Sequence, residues 1–210
     1  MSDLRFTLLA DGSSDRCLLR ILTWLLQHHL GECAIQVQWA DLQRLPKPPS
    51  VLSERMARAM ELYPCDLLFV HRDAESQPRE YRLQEIERAR KGIAGVQFLH
   101  ICVIPVRMTE AWLMFNELAI RRASGNPNGV VPLDLPPPNA IEDVADPKER
   151  LHRMLRTASE LSGRRLRNLR PAQAAIRIVE YVDDFSPLRQ LRAFRELEED
   201  VRRFSESASL

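Results

Sequence analysis

Apolar and polar positions follow two rhythms along this chain. Phe6 to Ala10 is a short apolar run closed by Asp11-Gly12-Ser13-Ser14, after which Cys17, Leu18, Leu19, Ile21, Leu22, Leu25 and Leu26 recur at helical spacing. That pattern predicts a strand, a tight turn and an amphipathic helix to about Leu30. Ala34 to Trp39 alternates around Ile35 and Val37 as a second strand would. Pro46, Pro48 and Pro49 then break the chain, and Ser50 is placed to cap a helix running to about Tyr63. Leu67-Leu68-Phe69-Val70 is continuously apolar, the mark of a parallel strand covered on both faces, and it ends in His71-Arg72-Asp73-Ala74-Glu75. A polar helix from about Arg79 to Lys91 leads through Gly92 and Gly95 to a fourth strand, Phe98 to Val106. Another helix is expected to begin near Thr109.

The order β-α-β-α-β-α-β-α predicts an α/β fold, a mainly parallel sheet of about four strands flanked by helices, over residues 1–123. Gly125, Asn126, Pro127, Asn128, Gly129 and the run Pro136-Pro137-Pro138 mark 124–146 as a loop or linker. A helical C-terminal region over 147–210 is expected, with helices from Pro147 to about Leu161, Pro171 to Val182 and Ser186 to about Phe204. Pro147 and Pro171 suit first-turn positions. Leu188, Leu191, Phe194, Leu197 and Val201 form one stripe, read as facing a core and not a dimer partner. Trp112, beside Leu113 and Phe115, is read as core.

Composition narrows the classes. With 210 residues, 45% of them hydrophobic and 28% charged, the chain is expected to fold around a substantial core. Its 30 Lys+Arg against 29 Asp+Glu leave a net charge of +1, so any surface for nucleic acid must come from local segregation. Arginines do crowd the stretch from Arg150 to Arg177, although charged helix faces are usually just solvated. Cys17, Cys33, Cys65 and Cys102 are scattered among apolar neighbours, which fits buried thiols and not a zinc site. No leader-like or bilayer-length apolar run is seen, so a cytoplasmic protein without membrane attachment is expected. The chain has no G-x-x-x-x-G-K-[ST] loop and no G-x-S-x-G elbow.

The chemistry collects at strand ends, where ligands bind in parallel α/β sheets. The first strand runs into Asp11, with Asp15 a turn later; the third runs into Asp73 and Glu75; the fourth is followed by Glu110. Each acid alone could be a helix cap. All five together, with the first, third and fourth strands adjacent, repel unless a cation neutralises them. A hard divalent ion, Mg²⁺ or Mn²⁺, suits oxygen donors better than zinc does. His71, beside Asp73, either orients water or a phosphate or is structural.

These motifs resemble a known family. Leu8-Leu9-Ala10-Asp11-Gly12-Ser13-Ser14-Asp15 resembles the Toprim opening, in which an acid-glycine pair ends the first strand, and Leu67 to Glu75 resembles the Toprim D-x-D strand end. Arg107-Met108-Thr109-Glu110-Ala111-Trp112-Leu113 resembles the E-A-W helix start of short bacterial Toprim-like proteins, relatives of the OLD-type nucleases linked to phage defence. Two departures stand out: Asp11 replaces the family's glutamate and Glu75 its second aspartate. The resemblance implies a Toprim-like fold and two-metal phosphodiester cleavage of DNA or RNA. Asp11, Asp73 and Glu75 would bind metal, Asp15 and Glu110 would support them, and Lys148 would stand for the lysine of OLD-type enzymes. It also implies phosphate contacts from Arg72, Arg107, Arg150, Arg153, Arg156, Arg164, Arg165, Arg167 and Arg170, and a separately encoded ATPase partner. Two other readings compete: a non-catalytic Toprim-like subunit docking on that ATPase, and a small-molecule phosphohydrolase.

Overall fold

A computed structural model of the chain describes residues 3–93, 95 and 97–208. Strands β1 (Asp3–Leu9), β2 (Ala34–Trp39), β3 (Leu67–His71) and β4 (Leu99–Val103) form one all-parallel sheet in the order β2-β1-β3-β4. Helices α1 (Leu18–Leu30), α2 (Leu52–Leu62) and α3 (Arg79–Lys91) make the crossovers. The architecture is the expected α/β one, consistent with a Toprim-like fold.

The sheet is held by the two central strands. Every residue of β3 is buried, and Leu4, Phe6 and Leu8 of β1 are fully so. Phe6 meets Phe69 edge to face at 5.3 Å, while Leu9, Leu68 and Val70 pack on the other face with Met56 and Ala59 of α2 and Ile86 of α3. Helix α1 buries Leu18, Ile21, Leu22, Leu25 and Leu26, one stripe at helical spacing. Each such side chain contributes roughly 1.5–3 kcal/mol. The buried Thr7 hydroxyl is satisfied by donating to the Tyr63 carbonyl oxygen at 3.0 Å.

The chain divides into two compact units: one runs to Ile104 and resumes at Glu196, the other is Pro105–Arg195. The break therefore falls after β4, ahead of the expected boundary at 123–124, and the expected linker 124–146 lies inside the second unit. That unit holds α4 (Glu117–Ala123), α5 (Pro147–Ser159), α6 (Gly163–Asn168) and α7 (Pro171–Arg177), joined by short 3-10 turns. Trp112 is fully buried and meets Phe194 edge to face at 5.4 Å. The last helix, α8 (Arg192–Ala208), spans the two units, and all five residues of the stripe from Leu188 to Val201 are buried.

Several boundaries differ from expectation for local reasons. Val51, not Ser50, occupies the N-cap of α2. Strand β4 ends at Val103, two residues before Pro105, which lacks an N–H to extend the ladder. Thr109–Leu113 is a 3-10 turn, and α4 starts only where the Asn116 side chain accepts from the Ala119 N–H. Pro147 and Pro171 do stand at first helical positions. Among the described residues no helix is long and apolar enough to cross a membrane.

Candidate functional site

The parallel register Leu9↔Val70 brings the carboxyl ends of β1 and β3 side by side. Asp11 follows β1 directly. The chain then enters a 3-10 turn, Ser13–Cys17, in which Asp15 folds back so that its Oδ2 accepts the Gly12 N–H at 3.0 Å. Gly12 itself is extended (φ −131°, ψ 159°), a conformation open to any residue.

His71, the last residue of β3, lies between two acids. Its Nε2 is 3.1 Å from Asp73 Oδ1 and its Nδ1 is 3.5 Å from Asp15 Oδ2. The imidazole has no exposed side-chain surface, Asp15 has 8% and Asp73 has 26%, so Asp73 is the most solvent-accessible member of this row. Burial opposes charge on His71, but the Asp73 hydrogen bond and the charges of Asp15, Asp73 and Asp11 outweigh it and raise its pKa. Burial also raises Asp15, against the pull of His71 and of the Gly12 N–H.

Beside this row runs a ladder of ion pairs. Asp11 accepts from Arg55 at 2.5 Å and from Arg72 at 2.7 and 2.8 Å. Arg55 also donates to the Ala10 carbonyl oxygen at 2.6 Å, and the far side of Arg72 reaches Glu85 at 2.8 Å. Arg82 continues the ladder to Glu85 at 2.8 Å and to Glu75 at 3.2 Å, while its Nε donates to the Asp73 carbonyl oxygen at 2.9 Å. Burial would raise the Asp11 pKa, but its two guanidinium partners outweigh that and lower it.

The structure thus gathers Asp11, Asp15, Asp73 and Arg72 of the sequence-predicted residues. Glu75 is not gathered: it sits at φ 56°, its side chain is 62% exposed, and it turns to Arg82. Glu110 and Lys148 belong to the second unit, where Lys148 Nζ lies 4.0 Å from Glu110 Oε1. Arg107, in the same unit, has φ 61°. Arg150 is engaged by Asp134 at 2.9 Å and Arg156 stands 3.8 Å from Glu149, whereas Arg153, Arg164, Arg165, Arg167 and Arg170 are exposed.

Sequence reasoning missed Arg55, Arg82 and Glu85. The i, i+3 spacing of Arg82 and Glu85 on α3 signals a pair, but nothing in the sequence ties that pair to Asp11, and Arg55 stands 44 positions from its acid.

The carboxylates meet protein cations: two guanidiniums on Asp11, a third on Glu75, and the imidazole between Asp15 and Asp73. These oxygens are of the kind a hard divalent ion takes, but among the described residues no three or more His, Cys, Asp or Glu stand grouped as a metal ion would need.

Fold and site together define an α/β chain with an acidic row and an arginine ladder at the carboxyl edge of a parallel sheet. Comparison with protein-family models, curated proteins and solved structures returns no match.

Proposed function

We propose that this chain is a divalent-metal-dependent phosphodiester hydrolase of the Toprim type, acting on DNA or RNA. The observation that carries the reading is the buried His71 held between Asp15 and Asp73, with Asp11 leaving the adjacent strand end. Asp73 is the more exposed acid of the His71 row, and His71 fixes its orientation. Asp15 Oδ2 stands 3.5 Å from Nδ1 on the other side of the ring. Arg55 and Arg72, once Asp11 engages a cation, present guanidinium forks to a phosphate at the same edge. Mg²⁺ or Mn²⁺, held by Asp11, Asp15 and Asp73, would lower the pKa of a bound water and stabilise the leaving oxygen. By resemblance the chain is an effector in bacterial anti-phage defence working with a separate ATPase.

Incubation of plasmid DNA and of RNA with Mg²⁺ or Mn²⁺ tests the proposal. Cleavage should disappear with chelator and in Asp73→Asn. Equal inertness of wild type and variant, in the presence of the ATPase as well, refutes it. One observation favours the non-catalytic alternative, since Asp11 is already saturated by Arg55 and Arg72. That reading predicts a stable complex with the ATPase that Asp73→Asn leaves intact and inactive alike.

A further inference from the structure

The second unit carries a surface that the acidic row does not explain. From Leu161 to Val179 the chain has five arginines and neither Asp nor Glu. Most of these fall on α6 and just after it: Arg164, Arg165, Arg167 and Arg170 are all exposed, and no residue of α6 is buried. None of the four has an ion pair or side-chain hydrogen bond among the described residues. Three other arginines of the unit are paired instead. Arg121 is held by Glu117 at 2.6 Å, Arg150 by Asp134 at 2.9 Å, and Arg177 lies 3.6 Å from Glu180.

Unpaired like charges on one short helix carry a cost. Arg164 and Arg167 stand at i, i+3, where two cations destabilise the helix by a few tenths of a kcal/mol. An external polyanion removes that repulsion. The composition points to which one. All four cations are arginine, whose planar fork matches phosphate in two hydrogen bonds. The helix brings no aromatic residue, and its only large apolar side chain, Leu166, is half-buried, so it lacks the exposed apolar face that seats a helix in a membrane surface.

We infer that α6 and Arg170 form a ridge that binds the phosphates of a nucleic-acid backbone without reading sequence. The choice of nucleic acid rests on the hydrolase reading above; the charge pattern itself does not. Six residues of helix span about 9 Å, enough for the arginines to engage about three phosphates.

Fluorescence anisotropy with a labelled oligonucleotide, single-stranded and duplex, tests this in chelator so that no cleavage intervenes. Wild type should bind more weakly as salt rises. The triple variant Arg164→Ala, Arg165→Ala, Arg167→Ala should lose about 10- to 100-fold in affinity, and its plot of log affinity against log salt should be shallower by about 2–3, at 0.7–0.9 per phosphate. Triple replacement by lysine, which keeps charge and fold, should restore most of the salt slope. The inference falls if wild type fails to bind, if the alanine variant binds with the same slope, or if wild type ignores oligonucleotides and binds phosphatidylserine vesicles. Binding without any cleavage in metal would leave the ridge standing and remove the hydrolase; cleavage with variant-insensitive binding would do the reverse.

Discussion

Replacing His71 with leucine tests whether the imidazole is the cation that makes the row Asp15-His71-Asp73 tolerable. The ring is wholly buried and Asp15 nearly so. Removing one member of a buried pair costs about 3–5 kcal/mol, because the remaining charge is stranded. Leucine nearly conserves volume, so packing adds little. In His71→Leu/Asp15→Leu no stranded charge remains at position 15. What is lost there is the acceptor for the Gly12 N–H, about 1 kcal/mol. The double variant should therefore be more stable than His71→Leu, with a coupling of about 2–3 kcal/mol. Hydrogen exchange in β1 and β3, with urea unfolding, reads this unit. pH adds a signed test. The folded pKa of His71 is raised, so its contribution is fully present below the usual histidine value and is lost as pH rises through the folded value. In the single variant Asp15 loses its counter-charge and its already raised pKa climbs further, so acid relieves the stranded carboxylate. The deficit of His71→Leu must then peak between those two titrations. Additive single effects, or a deficit that does not vary from acid to alkaline pH, would refute the reasoning.

Trp112→Ala empties a fully buried site against Phe194 and should cost about 3–5 kcal/mol, read as a lowered thermal midpoint with loss of cooperativity in the second unit. Gly129 has no room for a Cβ, which would come within 2.6 Å of Asn126 Nδ2, 2.7 Å of Glu160 Oε1 and 2.8 Å of Arg121 Nη1. Gly129→Ala should cost about 1–2 kcal/mol and speed amide exchange at Val130 and Val131, whose N–H groups donate to Glu160 at 2.5 and 2.8 Å. The same two N–H bonds lower the Glu160 pKa, so this clamp holds above the usual glutamate value and is released as pH falls through the lower folded value. Exchange at those two amides that does not respond to acid would contradict it.

Much of the sheet was legible because period-2 and continuous apolar runs leave few alternatives: β2 and α3 match their expected spans, and β3 extends by only one residue to His71. The second unit was harder. Its elements are short 3-10 turns and helices such as α6, whose charged sequence has no apolar stripe to announce it. Of the site, the acids at the ends of β1 and β3 could be named from their places after apolar runs.

The partners of those acids could not. A run of apolar residues commits a segment to a strand through forces that act between near neighbours, so the parallel sheet and the acids that leave it belong to the sequence alone. Which charge sits against which acid depends on long side chains from separate helices swinging onto one edge. Arg55 of α2 and Arg82 of α3 therefore became visible only when the helices packed against the sheet. Packing likewise decided that His71 lies between Asp15 and Asp73 while Glu75, two residues from Asp73, turns away to solvent and Arg82.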